Sequence, residues 1–184
     1  MKLRIGRTIS NSAVNGPGER FVVWTQGCGR RCPGCSNVGL LPRDGGVSVD
    51  VAELAAEIGR EPAIRGVTLS GGEPLDQAEA AAELLRLIDP RLDSVVFTGC
   101  TIEEVRADPA KALILESADF LVAGPFVQGL ASEAGRCIGS SNQTLHALTG
   151  RIREEDWPPQ GLEVHISSQG DLALTGFFPA KFLT

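Results

Sequence analysis

The sequence contains neither a long apolar run nor an excess of positive charge. No stretch of its 184 residues approaches the roughly eighteen apolar residues that a membrane-spanning helix needs, and residues 1–18 lack the apolar core of a leader segment. The formal net charge is -6 and lysine is rare beside arginine, which argues against broad attraction to phosphate backbones. We therefore expect a cytoplasmic protein that binds neither nucleic acid nor a membrane.

The sequence also lacks internal repeats, low-complexity tracts and any segment with the composition of a linker. A chain of this length is large enough to bury a hydrophobic core. We therefore predict a single domain that extends over residues 1–184.

Strands alternate with helices along the first two thirds of the chain. Runs of β-branched and aromatic residues that stop at glycine or another turn residue predict the strands, and capping residues at Asp50 and Thr101, each with Glu three positions later, predict two helix starts. Such alternation is typical of a mostly parallel sheet. The predicted strands are 20–26, 64–70, 94–97 and 119–122, and the predicted helices begin at 50 and 101 or extend over about 75–88 and 112–116.

The alternation ends in the last third of the chain. Residues 139–149 have the pattern of a loop followed by a helix, and Trp157-Pro158-Pro159 interrupts regular structure. Residues 162–167 and 172–177 flank the turn-rich Ser168-Gln169-Gly170-Asp171, which predicts a β-hairpin. Because a complete eightfold barrel takes about 250 residues, we predict an α/β fold that is a partial, open β/α barrel with mostly parallel strands and a C-terminal β-hairpin.

In parallel α/β sheets, ligands bind at the carboxyl ends of the strands. Glycines follow the predicted strands at this edge, namely Gly27, Gly71-Gly72, Gly99 and Gly124. Glycine lets the backbone approach a ligand closely, so we expect the functional site at this edge.

Three of the five cysteines, Cys28, Cys32 and Cys35, lie within eight positions of one another. Thiols this close cannot all pair in disulfides, so metal or redox chemistry in a reducing compartment fits better. Thiolates bind both tetrahedral zinc and iron-sulfur clusters. Zinc would need a fourth ligand, which only distant residues such as Cys100 or Cys137 could supply. A 4Fe-4S cluster with one open iron accounts for three ligands more simply.

The spacing C-x-x-x-C-x-x-C of these cysteines resembles the signature of the radical S-adenosylmethionine (radical SAM) enzymes. Leu69-Ser70-Gly71-Gly72-Glu73-Pro74 resembles the GGE(P) motif of the same family. The resemblance implies a 4Fe-4S cluster whose open iron is chelated by the amino and carboxylate groups of SAM. It also implies that the two glycines and Glu73 lie at the methionyl end of SAM.

Further segments resemble the activating enzymes of glycyl-radical proteins, especially the small activase of anaerobic ribonucleotide reductase. This likeness implies a glycyl-radical enzyme as the partner and a flavodoxin or ferredoxin as the electron donor. It runs from about residue 3 to 180 and is carried by Asn15-Gly16-Pro17-Gly18, Cys32-Pro33-Gly34-Cys35-Ser36-Asn37, Phe97-Thr98-Gly99, 121–126, 139–143 and 174–177.

The same resemblance implies further contacts with SAM. The backbone at Gly34 and Ser36 would lie near the adenine, and Thr98 near the ribose. Asn142 lies in a polar loop that either binds the cosubstrate or caps the helix predicted after it. The predicted metal ligands are thus Cys28, Cys32 and Cys35, and the predicted cofactor-binding residues are Gly34, Ser36, Gly71, Gly72, Glu73, Thr98 and Asn142.

Three positions depart from the pattern of the activases. Ser36 stands where His or Tyr is usual, Cys100 where an aromatic residue is common, and Ala123 where Asp is common. These departures leave open a compact radical SAM enzyme that acts on a small metabolite or a peptide. A third alternative is a non-catalytic iron-sulfur or zinc-binding module.

Other polar and thiol side chains have weaker functional signals. Arg30 and Arg31 either tune the cluster or dock an acidic electron donor, or they are solvated loop charges. We expect Cys100 and Cys137 to be small buried residues, and His146 and His165 to have structural roles.

Overall fold

The computed structural model describes residues 1–133, 135–166, 170 and 172–177. In this part of the chain, seven strands form one sheet and two more form a separate hairpin. The sheet contains β1 (Lys2–Ser12), β2 (Arg20–Thr25), β3 (Val47–Asp50), β4 (Gly66–Gly71), β5 (Asp93–Thr98), β6 (Phe120–Ala123) and β7 (Thr144–Ala147). The hairpin contains β8 (Gly161–Ile166) and β9 (Leu172–Phe177), and the helices are α1 (Val51–Ile58), α2 (Ala78–Leu87), α3 (Ile102–Ala107) and α4 (Pro109–Ser117).

The sheet has the strand order β3-β1-β2-β4-β5-β6-β7. Its four central strands, β2, β4, β5 and β6, are parallel, whereas β1, β3 and β7 pair antiparallel with their neighbours. The prediction of a mixed α/β fold with a mostly parallel centre is thus confirmed. Among the described residues β3 and β7 are free edges of the sheet.

Buried apolar side chains explain why the central strands and the helices form where they do. Every residue of β2 and β5 is buried, which is typical of parallel strands covered on both faces. Each helix packs one apolar stripe onto the same face of the sheet, with Leu54, Leu84, Val105 and Ile114 among the buried residues. The other face is covered by later segments, where Trp157 stacks on Phe120 with ring centroids 4.6 Å apart.

Both predicted helix starts are confirmed. The Asp50 side chain accepts a hydrogen bond from the backbone N–H of Ala52, so α1 begins directly after it. Thr101 and Glu104 form a reciprocal capping box at the start of α3, in which each side chain accepts a hydrogen bond from the backbone N–H of the other residue.

The structure corrects the sequence prediction in two places. The helix predicted within 139–149 is wrong, because Thr144–Ala147 forms β7 and pairs antiparallel with β6. Pairing with an existing sheet outweighs the weak helical propensity of so short a segment. In addition, β1 and β3 were not predicted, since polar residues interrupt both strands and hide their periodicity.

The C-terminal hairpin is confirmed. Its strands pair from Gly161 opposite Phe177 to Ile166 opposite Leu172. Of the predicted hairpin residues, Ser167, Ser168, Gln169 and Asp171 lie outside the described residues. Within the described part of the chain, no helix has the length and apolar character needed to cross a bilayer.

Candidate cofactor site

An open cavity of about 140 Å³ lies at the carboxyl ends of β2, β4, β5 and β6. This is the edge at which parallel α/β sheets bind ligands. The cavity is lined by Cys28, Arg30, Cys32, Cys35, Ser36, Asn37, Leu41, Ser70, Gly71, Gly72, Glu73, Phe97, Thr98, Gly99, Gly124, Phe126, Gly139, Gln143 and Phe177. All three clustered cysteines therefore face the same space as the GGE segment.

Backbone hydrogen bonds hold the cysteine loop at the end of β2. The N–H of Gly27 donates to the carbonyl oxygen of Leu40 over 2.8 Å, and that of Cys28 donates to Leu41 over 3.1 Å. A further bond of 3.2 Å from the N–H of Cys35 to the carbonyl oxygen of Cys32 tightens the second half of the loop. All three cysteines are free thiols, as metal ligation requires.

The environment of Cys28 both opposes and supports its ionisation. Burial raises the pKa of the Cys28 thiol, while hydrogen bonds from the backbone N–H groups of Arg30 and Arg31 act in the opposite direction. The same donors would stabilise a metal-bound thiolate, and hydrogen bonds to cysteine sulfur are one of the means by which proteins set cluster potentials.

The donor set consists of three thiols. Thiolates are the usual protein ligands of iron-sulfur clusters. Cys28, Cys32 and Cys35, which share the cavity wall, thus suit a 4Fe-4S cluster.

The two glycines at the end of β4 bring backbone close to backbone. Gly71 has a φ of 116°, which L side chains rarely adopt, and a Cβ there would collide with the backbone of Thr25 on β2. A Cβ on Gly72 would collide with the carbonyl oxygen of Gly27. Only glycine lets this segment lie directly against the start of the cysteine loop.

Glu73 is buried, with 2% of its surface exposed, and its carboxylate accepts three hydrogen bonds. The donors are the Thr98 hydroxyl at 2.6 Å, the N–H of Gly99 at 2.8 Å and the N–H of Leu75 at 3.0 Å. Burial raises the pKa of Glu73, and these hydrogen bonds partly offset that effect. The network joins the ends of β4 and β5 into one rigid wall of the cavity.

Arg30 connects the cysteine loop to this wall. Its guanidinium donates to Glu104 at the start of α3 and lies 3.8 Å from a carboxylate oxygen of Glu73. Burial lowers the pKa of Arg30, but hydrogen bonds to Cys100 and Glu104 outweigh that effect and raise it above its usual value. Arg30 is therefore a fixed positive charge beside the cysteines.

Most of the predicted site residues meet in this cavity. The three cysteines line it together with Ser36, Gly71, Gly72, Glu73 and Thr98. Gly34 is exposed, has a φ of 70° and is not part of the lining, and the Asn142 side chain donates to the carbonyl oxygen of Pro125 over 2.9 Å instead. The roles assigned to individual residues from the sequence stay predictions.

The sequence did not single out the aromatic part of the wall. Phe97, Phe126 and Phe177 line the cavity, and Phe97 stacks on Phe177 with ring centroids 5.2 Å apart. Gln143 also lines it and donates to the carbonyl oxygen of Gly124. Their positions could have indicated them: the three phenylalanines lie at or shortly after strand ends and Gln143 directly precedes β7, all in segments that resemble the activases.

The remaining cysteines and histidines lie outside the cavity lining. Cys100 and Cys137 are buried, as expected. His146 contacts the Thr144 hydroxyl at 2.8 Å, and His165 contacts Glu163 at 3.2 Å.

A protein-family model described as a 4Fe-4S single cluster domain matches residues 14–146. The anaerobic ribonucleoside-triphosphate reductase-activating protein of Salmonella typhimurium is 33% identical over 145 residues, which cover 73% of this chain and 92% of the relative. Its counterpart in Escherichia coli K12 is 32% identical with the same coverage, and that of Enterobacteria phage T4 is 30% identical over 78% of this chain and 93% of the relative. The chain belongs to this activating-protein family.

Membership in the activating-protein family confirms the resemblance found in the sequence and, with it, the 4Fe-4S cluster and SAM as cofactors. A solved structure of QueE from Escherichia coli is similar over 55% of this chain and 54% of that chain, with a TM-score of 0.42 and 18% identity. A likeness this weak adds nothing to the assignment.

Proposed function

We propose that this protein is a radical SAM enzyme that generates a glycyl radical on an anaerobic ribonucleotide reductase. One observation carries the proposal, namely that the three cysteines and the GGE segment face a single open cavity. The chain matches relatives that are named reductase-activating proteins, and the match covers 92% of their length. This supports the identity of the partner.

Cys28, Cys32 and Cys35 would hold the 4Fe-4S cluster, and the GGE segment would hold SAM beside it. Once reduced, the bound cluster would supply the electron for one-electron cleavage of SAM to methionine and a 5′-deoxyadenosyl radical. The protein's own residues orient the cosubstrate and exclude water. Gly71, Gly72 and Glu73 hold the methionyl end, and Thr98 and the backbone at Ser36 lie towards the nucleoside.

The aromatic side chains of the cavity wall have a separate role. Phe97, Phe126 and Phe177 cover one side of the cavity with apolar surface. Such a wall keeps water away from a reactive carbon radical, so that a Cα–H bond of the partner's glycine is the available source of a hydrogen atom.

The positions that depart from the activase pattern do not point to a small-molecule substrate. Cys100 and Ala123 are buried, and neither is part of the cavity lining in the described residues. Only Ser36 lies on the wall, and a serine there leaves the cavity more open, which suits a loop of another protein.

The fold, the cellular compartment and the electron donor are also part of the proposal. We propose one domain over residues 1–184 whose sheet is an open, partial barrel. All four described helices pack on one face of the sheet, which supports this because β/α barrels carry their helices on the outside. The five free cysteines suit a reducing cytoplasm, and the electron comes from a flavodoxin or ferredoxin.

The test is an anaerobic incubation of cluster-loaded protein with SAM, a reductant and the anaerobic ribonucleoside-triphosphate reductase of the same organism. We expect a glycyl-radical doublet in electron paramagnetic resonance, and we expect Cys32→Ala to give neither the doublet nor 5′-deoxyadenosine. Deoxyadenosine without a doublet would favour a small-molecule or peptide substrate. A colourless zinc protein that leaves SAM intact would favour the non-catalytic module.

A further inference from the structure

The C-terminal hairpin has its polar and apolar faces reversed. Its inner face packs on the body of the protein through polar groups, since Glu163 accepts hydrogen bonds from the Ser12 hydroxyl and the N–H of Ala13, and Thr175 bonds to Asn15. A two-layer structure normally turns its aliphatic side chains inwards and its polar ones to water. Here the aliphatic side chains point outwards.

We call this outer surface the hairpin face. It consists of Leu162, Val164, Ile166, Leu172 and Leu174, which are between 47% and 70% exposed. Val164 pairs with Leu174 and Ile166 with Leu172 across the two strands, so the five side chains form one continuous patch. A contiguous apolar patch on a protein surface marks a site of interaction with another molecule.

The position of the hairpin links this patch to the cavity. Strand β9 ends at Phe177, which lines the cavity and stacks on Phe97, and Phe177 pairs with Gly161, the neighbour of Leu162. The Leu162 end of the hairpin face therefore lies next to the strand end that contributes Phe177 to the cavity wall. The hairpin lies outside residues 14–146, the part that matches the family model.

We propose that the hairpin face is a docking surface for the reductase that presents its glycine to the cavity. This inference rests on the proposed function and adds where the partner binds. The position of Leu162 beside the strand end of Phe177 favours a protein as the occupant, because a molecule that contacts both the cavity and the hairpin face is larger than a metabolite.

The size of the patch argues against a second copy of this chain as the occupant. An aromatic side chain buries about 150–250 Å², and half-exposed aliphatic side chains offer less, so the five residues provide at most about 500 Å². Stable interfaces bury about 800 Å² on each partner. A smaller apolar patch suits a transient contact, and an enzyme that activates successive reductase molecules must release each of them.

The test compares the Val164→Glu/Leu174→Glu double variant with wild type and with Val47→Glu. Val47 is a matched control, since it is 59% exposed and also lies on a strand, but on β3 at an edge of the main sheet. Each protein is loaded with its cluster. Three quantities are then measured: SAM cleavage by chemical reductant without reductase, the dissociation constant for the reductase, and the reductase concentration that gives half of the maximal glycyl-radical signal.

We expect the double variant to cleave SAM at the wild-type rate but to bind the reductase at least tenfold more weakly, with a matching increase in the half-saturating concentration. Val47→Glu should leave all three quantities unchanged. Equal reductase affinity of the double variant and wild type overturns the docking site alone. If wild type itself neither binds nor activates the reductase, the proposed function fails, which is a different result.

Two further measurements exclude other occupants of the hairpin face. Sedimentation velocity of the wild type and the double variant detects self-association, and a wild-type dimer that the double variant abolishes would assign the face to a second copy. A chain without residues 178–184 is also compared. If the double substitution weakens reductase binding in the full chain but not in the shortened one, the face acts through the end of the chain and the proposal is wrong.

Discussion

Arg30 and Arg31 are adjacent in the sequence, yet the fold gives them different environments. Arg31 is exposed and adopts a φ of 53°, which turns its side chain out of the cysteine loop. Arg30 is half-buried, lines the cavity and bonds to Glu104. The sequence alone left open whether either arginine tunes the cluster, and the structure restricts that role to Arg30.

We predict that Arg30→Gln lowers the reduction potential of the cluster. The substitution removes a positive charge beside the cysteines and leaves the carboxylate of Glu73 uncompensated, and both effects disfavour the reduced cluster. A redox titration followed by electron paramagnetic resonance measures the potential. Arg31→Gln is the matched control and should leave it unchanged; equal shifts in the two variants would contradict a specific role for Arg30.

Cys137 allows a prediction about thiol reactivity. Burial raises its pKa to about 12, and its thiol donates to the carbonyl oxygen of Val14 over 2.6 Å. Because only the thiolate reacts with alkylating agents, we expect Cys137 to resist iodoacetamide at pH 8 in the folded, cluster-free protein. Mass spectrometry should show Cys32 and Cys35, which are only half-buried, labelled first. Labelling of Cys137 at the same rate would contradict the fold around it.

The same thiol also gives a dependence of stability on pH. The pKa of Cys137 is higher in the folded protein than the roughly 8.5 of an unfolded cysteine, so its stabilising contribution is complete below that pH and is lost as the pH rises through about 12. We expect Cys137→Ala to reduce this alkaline loss of unfolding free energy by up to about 1.4 kcal/mol per pH unit. Urea denaturation between pH 8 and 11 measures it, and the absence of tyrosine simplifies the titration.

At the scale of elements, local signals predicted some parts of the fold and tertiary pairing decided others. The strand at Arg20–Thr25 and the capped helix starts at Asp50 and Thr101 have strong local signals, and both kinds of element formed as predicted. Lys2–Ser12 and Thr144–Ala147 are strands because they pair with β2 and β6. A short or half-polar segment has no clear alternation of apolar and polar residues, so its pairing with another strand cannot be predicted from its own sequence.

Local sequence signals likewise predicted only some of the residues of the candidate site. Cys28, Cys32 and Cys35 and the GGE segment are contiguous motifs, so spacing alone identified them. Phe126 and Phe177 belong to the site only because β6 and β9 end at the same cavity. No local pattern distinguishes an aromatic residue of a cavity wall from one of the core.

The parallel strands are joined at their opposite ends by a buried ion pair. Arg20 on β2 lies 2.7 Å from Asp93 on β5 and also donates to the hydroxyl of Thr68 and the carbonyl oxygen of Val67 on β4. Both charged side chains are buried. One arginine thus ties three neighbouring strands together on the side of the sheet away from the cavity.

We predict that Arg20→Met lowers the free energy of unfolding by about 1.5–3 kcal/mol, because Asp93 loses a charged hydrogen-bond donor although it keeps its ion pair with Arg65. Arg153→Met is the control, since Arg153 and Glu155 form an ion pair whose side chains are 66% and 68% exposed, and it should cost less than about 1 kcal/mol. Urea denaturation at pH 7 compares the two. Losses of equal size would show that the buried pair does not hold the strands.

At the scale of the whole molecule, the cavity wall combines residues that are far apart in the sequence. Its wall takes residues from the cysteine loop, from the ends of β4 and β5, from the segment after β6 and from the hairpin. The helices on one face and the later segments on the other have separate cores. A ligand in the cavity therefore contacts several elements of the fold at once.

This arrangement predicts that SAM stabilises the whole fold. A ligand that binds only the folded state at a hundred times its dissociation constant adds about 2.7 kcal/mol to the free energy of unfolding. For a chain of this size, each kcal/mol raises the midpoint of thermal unfolding by about 2–4 °C, so we expect a rise of roughly 5–10 °C for the cluster-loaded protein. Anaerobic differential scanning calorimetry measures this shift.

The control is a variant in which Cys28, Cys32 and Cys35 are all replaced by Ser. It keeps Glu73 and the aromatic wall but cannot hold the cluster, so SAM loses the iron that chelates its methionyl group. We expect at most a small fraction of the wild-type shift. An equal shift in both proteins would mean that SAM is held by the cavity wall alone, and the three cysteines would then have no part in binding it.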